Sequence, residues 1–337
     1  MKKNFGKYKG KDVSIYTLTD GMIIAEITDF GASIVSVMVP DKSGNKRDVV
    51  LGYDNLKGYI KNNCFIGVTV GRYSNRIGGA SFNIDGTLYK IKANEKKNAL
   101  HGGKAGFDKQ LWNVEAVTDS SITFSINSPD SDQGFPGNLE VIHTITLKDG
   151  TICLDYQAVC DKKTHVSLTN HSYFNLNGEG SGSINRHKVQ IFSKKITPVN
   201  NESIPTGEIA EIKDTFFDLE EETLLQDKLD RDPDLFYDIN YVLENDGQLS
   251  KAARVLSPDS GIVLEVFTDT PGIQFYGGNH LGKVKGKNGH LYTKNAGLCL
   301  EAQHYPDSPN KSNFPSSLLE PGQTYRQNTE YRFSYQD

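Results

Sequence analysis

The sequence predicts an all-β fold, a large antiparallel β-sandwich with few short helices. Three observations carry that expectation. Apolar and polar residues alternate with a period of two over long stretches, Asp-Gly pairs punctuate them, and stretches of helical period are scarce. The 26 Asn and 32 Gly supply the positive-φ positions that many tight turns need.

The elements follow in chain order. Asp20-Gly21 marks an early turn, and Asn55–Ile60 has the length of one helical turn. Residues 81–91, SFNIDGTLYKI, read as two short strands around Asp85-Gly86, a strong hairpin signal. Leu139, Val141, Ile145 and Leu147 alternate up to Asp149-Gly150, and Ile152, Leu154, Tyr156 and Ala158 alternate away from it. Residues 220–229, EEETLLQDKL, form the clearest helical pattern, and Asp246-Gly247 marks another turn. The length of 337 residues fits two average domains, but all-β domains often exceed 200 residues, and no linker or low-complexity tract divides this chain. One extended sandwich that hides its sheet edges is the preferred reading, and two small β-domains are the alternative.

Composition excludes several classes. With 37 Lys+Arg against 42 Asp+Glu, the net charge of −5 argues against nucleic acid or an anionic membrane as partner. No segment approaches the ~20 apolar residues of a membrane span, and no signal-peptide core follows the basic N-terminus. Cys64, Cys153, Cys160 and Cys299 have no zinc spacing, so free thiols in a reducing cytoplasm are expected. The motifs of nucleotide binding, zincins and serine hydrolases are absent.

Dense polar clusters interrupt the alternation. Gly71–Gly78 holds Arg72, Asn75 and Arg76 among glycines, and Leu100–Gly103 sets His101 beside paired glycines. In Thr169–Leu176, His171 and Tyr173 stand in a polar run that burial alone explains poorly, because each buried polar group needs a partner. Asp238 lies in an aromatic stretch and Gln274 in PGIQFYGGN. Glu301 follows the apolar run 297–300, where a sheet can hold a carboxylate as a general base. Trp112, the single Trp, sits in a strand-like stretch and is expected in the core. His101, His165, His171 and His304 invite a metal hypothesis, but their spacings match no compact ligand signature.

In this order the clusters resemble the aldose 1-epimerases, the galactose mutarotases. The resemblance runs from Gly31-Ala32-Ser33-Ile34 through residues 71–77, 100–103, 170–176, 271–279 and 299–310 to Pro321-Gly322. It implies one galactose mutarotase-like domain over residues 1–337, with a sugar cleft and no cofactor or metal. The partner it implies is a free aldose, for a cytoplasmic monomer or homodimer. It also implies His171 as proton donor and Glu301 as general base. Asn75, Arg76, His101, Tyr173, Asp238 and Gln274 match positions that hold the sugar or support that pair, and Arg72 is a further candidate. Ile239 stands where the family often has His, and Ser74 where a small apolar residue is common.

The chemistry accounts for these residue types. An aldose inverts at its anomeric carbon by opening the ring, turning about C1–C2 and reclosing. Opening takes a proton from the C1 hydroxyl and gives one to the ring oxygen, which a carboxylate and an imidazolium can do together. The unperturbed imidazole pKa of about 6.5 suits the acid, and burial is expected to raise Glu301 towards a useful base.

Overall fold

The structure, a computed structural model, describes residues 1–233 and 235–336. Among them, the largest sheet has nine strands, all antiparallel. Their order is Asn113–Val117, Ser121–Ser128, Leu139–Lys148, Thr151–Cys160, Tyr325–Tyr335, Ile262–Thr268, Ser250–Leu256, Lys188–Ile191 and Thr223–Leu224. The final strand of the chain thus lies between the Thr151–Cys160 hairpin arm and Ile262–Thr268. A five-stranded meander, Lys2–Tyr8 to Lys46–Asp48, forms a second sheet. A third sheet orders Ala210–Glu211, Lys195–Ile196, Asp238–Val242, Gly272–Tyr276 and Cys299–Gln303.

The expected hairpins form where the turn chemistry places them. Asp85 and Gly86 have φ of 50° and 80°, and Asp149 and Gly150 have 50° and 75°. Two successive positive φ values make the turn whose twist matches its flanking strands. The helix Leu56–Ile60 starts where Asn55 Oδ1 accepts the Gly58 N–H.

Residues 220–229 differ from expectation. The helix spans Leu225–Arg231, while Thr223–Leu224 pairs with Lys188–Val189 at the sheet edge. Strand pairing claims the β-branched Thr223, and the side chain of Leu224, at the N-cap, makes no capping bond. Trp112 is in the core as expected, with its indole N–H donated to the Phe107 carbonyl.

One apolar cluster joins the three sheets. Tyr16, Ala25 and Val37 of the meander meet Phe124, Ile145, Leu154, Val255, Leu264 and Tyr331 of the nine-stranded sheet. Ile239, Tyr241, Ile273, Phe275 and Leu300 of the third sheet complete it. Cross-strand pairing puts Asp238 opposite Tyr276, Asn240 opposite Gln274, Gln274 opposite Glu301 and Tyr276 opposite Cys299. Because side chains alternate along a strand and directly paired residues share a face, these residues point away from that cluster together, and Tyr276 and Cys299 join a second, smaller apolar cluster.

No helix among the described residues is long and apolar enough to cross a membrane. The cysteines are free thiols, of which Cys299 is buried.

Candidate active site

The outward face of the third sheet floors a cleft of about 350 Å³, within the usual span of small-molecule sites. Asn75, Arg76, His101, His171, Tyr173, Asp238 and Glu301 all line it. Gln274 stands just behind, donating from Nε2 to Asp238 Oδ1 at 2.7 Å.

Two loops bring Asn75, Arg76 and His101 together. Arg76–Ile77 pairs with Ala99–Leu100, so the residues just before and after this short ribbon become neighbours. The His101 N–H donates to the Asn75 carbonyl at 3.0 Å, and the Asn75 N–H donates to His101 Nδ1 at 3.1 Å. Both residues have left-handed φ, 51° and 59°, where Asn and His are enriched among non-glycine residues. Gly102 follows at φ 82°, and a Cβ there would lie 1.9 Å from the Gly71 carbonyl oxygen. That close approach explains why glycine follows His101.

His171 and Tyr173 belong to a segment that is not a strand beyond Thr169–Asn170. Its backbone bonds several neighbours in turn: the His171 N–H reaches Val68 O, and the Phe174 and Asn175 N–H groups reach Leu298 O and Val49 O. The polar run is therefore a buried crossing between sheets whose backbone bonds several segments, while the Thr169 and Ser172 hydroxyls stay buried without a protein partner. Glu301 lies in the middle of Cys299–Gln303 rather than at a strand end.

His171 Nε2 lies 3.7 Å from Glu301 Oε1, and both side chains are buried. The other His171 nitrogen, Nδ1, is 3.5 Å from the Cys299 thiol. Burial holds the Glu301 carboxyl well above the usual carboxylate range, with the Asp238 charge adding to the rise and Arg76 opposing it. Burial pushes His171 down to about 4, and His101 well below its ordinary value with help from His171 and Arg76. The rise at Glu301 agrees with expectation. The fall at His171 differs from an acid poised near 6.5, because aromatic neighbours Phe65, Tyr173 and Tyr276 displace water from the ring.

Arg76 donates from Nε and Nη2 to Glu95 at 2.6 and 2.9 Å, and its Nη1 is 3.6 Å from Asp238 Oδ2. The Tyr173 hydroxyl donates to the Cys64 carbonyl at 2.8 Å, and burial keeps its proton on. Glu301 Oε2 and Gln274 Oε1 are buried without a protein partner, so acceptors remain for an incoming ligand.

Arg72 is not a site residue. Its guanidinium bonds Ser128 Oγ and the carbonyls of Ser128, Pro129 and Pro136, which fixes a buried loop away from the cleft. Sequence reasoning also missed residues lining the cleft: Glu95, Phe65, Cys64, Tyr276 and His280. The two-residue spacing from Gln274 could have found Tyr276. Glu95 and Phe65 carry no such signal, since their placement depends on tertiary pairing.

Among the described residues, His101, His171 and Glu301 are the group whose donor atoms gather within 4.8 Å. His165 and His304 instead border separate grooves. The trio fits a cation poorly. His101 Nδ1 accepts a backbone N–H, so the neutral ring carries its proton on Nε2 and presents a donor to the cleft. A larger groove, about 450 Å³ beside His304 and residues 316–319 and 323–325, has no carboxylate among its lining residues.

The aldose 1-epimerase family model matches residues 14–332. The galactose mutarotase of Mus musculus is 42% identical over 326 residues, covering 96% of this chain and 95% of that protein. The aldose 1-epimerase of Escherichia coli K12 is 35% identical over 334 residues, covering 96% of each. A crystal structure of an aldose epimerase homologue from C. elegans superposes with a TM-score of 0.91 at 31% identity, over 96% of this chain and all of that one. The match spans every polar cluster that lines the cleft, and the chain accordingly belongs to the aldose 1-epimerase family of isomerases.

Proposed function

We propose that this protein interconverts the α and β anomers of free aldohexoses such as D-galactose and D-glucose by acid–base ring opening and reclosure. Glu301 takes the C1 hydroxyl proton as general base, and His171 protonates the ring oxygen as general acid. The observation that carries this reading is the buried carboxyl and imidazole, 3.7 Å apart on a cleft wall. Family membership supports the reaction type.

The pair shares one mobile proton. Ring opening moves a proton from the sugar to Glu301 and another from His171 to the sugar, leaving a neutral carboxyl and a neutral imidazole. Burial favours that neutral arrangement, since Glu301 is pushed up and His171 down. The environment thus lowers the energy of the open-chain half of the cycle, where rotation about C1–C2 occurs. Reclosure returns both protons and consumes nothing.

The remaining residues act as fixed dipoles and charges around the sugar. The Nε2–H of His101 and the guanidinium of Arg76 can donate to oxygens that gain charge during opening. Asn75, Tyr173 and Asp238 wall the sugar, and Gln274 orients Asp238 through its 2.7 Å bond. The apolar cluster reaching from Tyr16 to Phe333 supports reading residues 1–337 as one domain. We read the protein as a cytoplasmic monomer or homodimer that needs no cofactor.

Polarimetry tests the reading. Freshly dissolved α-D-galactose and α-D-glucose should lose excess rotation faster with enzyme in proportion to its concentration. Binding of either sugar without acceleration would replace catalysis with a carbohydrate-binding role.

A further inference from the structure

The acid–base pair and the residues walling the sugar account for most of the cleft lining, but they leave Glu95 without a task. Its carboxylate touches neither His171 nor Glu301, and about a third of its side chain is exposed at the cleft rim. Yet it is held with care. Glu95 and Asn98 pair across the turn at Lys96-Lys97, the Asn94 side chain bonds both backbone groups of Leu100, and Asn98 Oδ1 accepts the Gly79 N–H. This loop aims both oxygens of Glu95 at the Nε–Nη2 edge of Arg76.

That edge is the one that ordinarily grips a phosphate or carboxylate through two parallel N–H···O bonds. Apart from imidazoles, Arg76 is the only basic side chain among the described lining residues, against the carboxyl groups of Glu95, Asp238 and Glu301. Glu95 fills the fork and Asp238 stands 3.6 Å from the remaining nitrogen. An anionic sugar would have to displace Glu95 or leave its own charge beside two carboxylates, whereas a neutral sugar meets no such repulsion.

We propose that Glu95 is a specificity-determining residue, occupying the guanidinium fork of Arg76 so that aldoses bearing a phosphate or carboxylate are excluded. The proposal rests on the mutarotase reading and names the residue that restricts its substrates to uncharged aldoses. It gives a partly buried rim carboxylate a role in rejection rather than in catalysis.

The test compares wild type with Glu95→Gln, which removes the charge, and Glu95→Asp, which keeps the charge and shortens the reach. Anomer exchange is followed by NMR for D-galactose, D-galacturonic acid and D-glucose 6-phosphate, with circular dichroism to verify the fold. Wild type should favour galactose over both anions in kcat/KM by about 100-fold, and Glu95→Gln should narrow that gap about tenfold, chiefly through KM. Glu95→Asp should keep the gap within about threefold, and added salt should narrow it in wild type more than in Glu95→Gln. A gap unchanged in Glu95→Gln, or a wild type that accepts the anions as readily as galactose, overturns the proposal while leaving mutarotation intact. Absence of galactose turnover in wild type overturns the mutarotase reading and this inference with it.

Discussion

The two faces of one sheet answer to different demands. On the strands Asp238–Val242, Gly272–Tyr276 and Cys299–Gln303, the inward face presents Ile239, Tyr241, Ile273, Phe275 and Leu300 to the core. The outward face presents Asp238, Asn240, Gln274, Glu301 and Gln303, of which all but Asp238 carry buried side-chain atoms with no protein partner. The polar tip on the inward face is satisfied: the Tyr241 hydroxyl donates to Phe217 O at 2.8 Å. The backbone is shared, so the contrast comes from side chains alone. The inward face supplies stability, and the outward face gives up some of it to keep acceptors and the raised carboxyl of Glu301 available.

This contrast can be broken in either direction. Phe275→Ala should cost about 3–5 kcal/mol of stability by opening a cavity, visible in urea unfolding, while any folded fraction still turns over sugar. His171→Asn should do the reverse, lowering kcat by about 100-fold or more with an unchanged unfolding midpoint.

The next effect is one of pH. With His171 at about 4, the pair takes up a second proton only near that value and not in the range in which an ordinary imidazole titrates. On its acid side the profile of kcat/KM should therefore show no limb near 6.5 and should fall as pH approaches about 4. Stability behaves differently. Burial holds His143, His165, His187 and His304 at about 4. Their unfolded counterparts, near 6.5, bind protons first, so this stabilisation is complete above about 6.5 and is lost as pH falls towards 4. Glu301, Asp29, Asp108 and Asp155, all raised by burial, work in the opposite sense and offset part of this loss. Melting temperature should decline through a window in which kcat/KM still holds.

The smallest effect lies on the outward face beyond the acid–base pair. Gln303 is fully buried, with both amide atoms unpartnered. Gln303→Met should leave stability unchanged within about 1 kcal/mol or raise it, because it removes polar atoms that burial penalises. A larger loss in thermal melting would mean that the amide is hydrogen-bonded in solution.

Much of this was legible in the sequence, for reasons that also mark where legibility stops. Asp85-Gly86 and Asp149-Gly150 announce their hairpins because positive φ is a local property. Asn75, His101 and His171 stand out because polar clusters break an alternating pattern that the core requires. Arg72, embedded in the same cluster as Asn75, proves structural, since its partners at Ser128 and Pro136 lie more than fifty residues away. Glu95 escapes notice because only the pairing of Arg76–Ile77 with Ala99–Leu100 brings it to Arg76. The polar run 170–176 is a crossing whose backbone bonds several segments in turn, a placement no local pattern announces. Local chemistry reads directly from sequence, whereas placement across sheets does not.

The central claim is that the buried carboxyl of Glu301 takes the proton from the sugar. Its most direct test is the decay of optical rotation of fresh α-D-galactose with wild type and Glu301→Gln at equal concentration. Both proteins should give the same circular dichroism and melting temperature within a few degrees. Wild type should accelerate the decay in proportion to enzyme, and Glu301→Gln should lower kcat at least about 100-fold, to within reach of the buffer rate. A Glu301→Gln variant that still equilibrates the anomers at a rate near wild type would contradict the account.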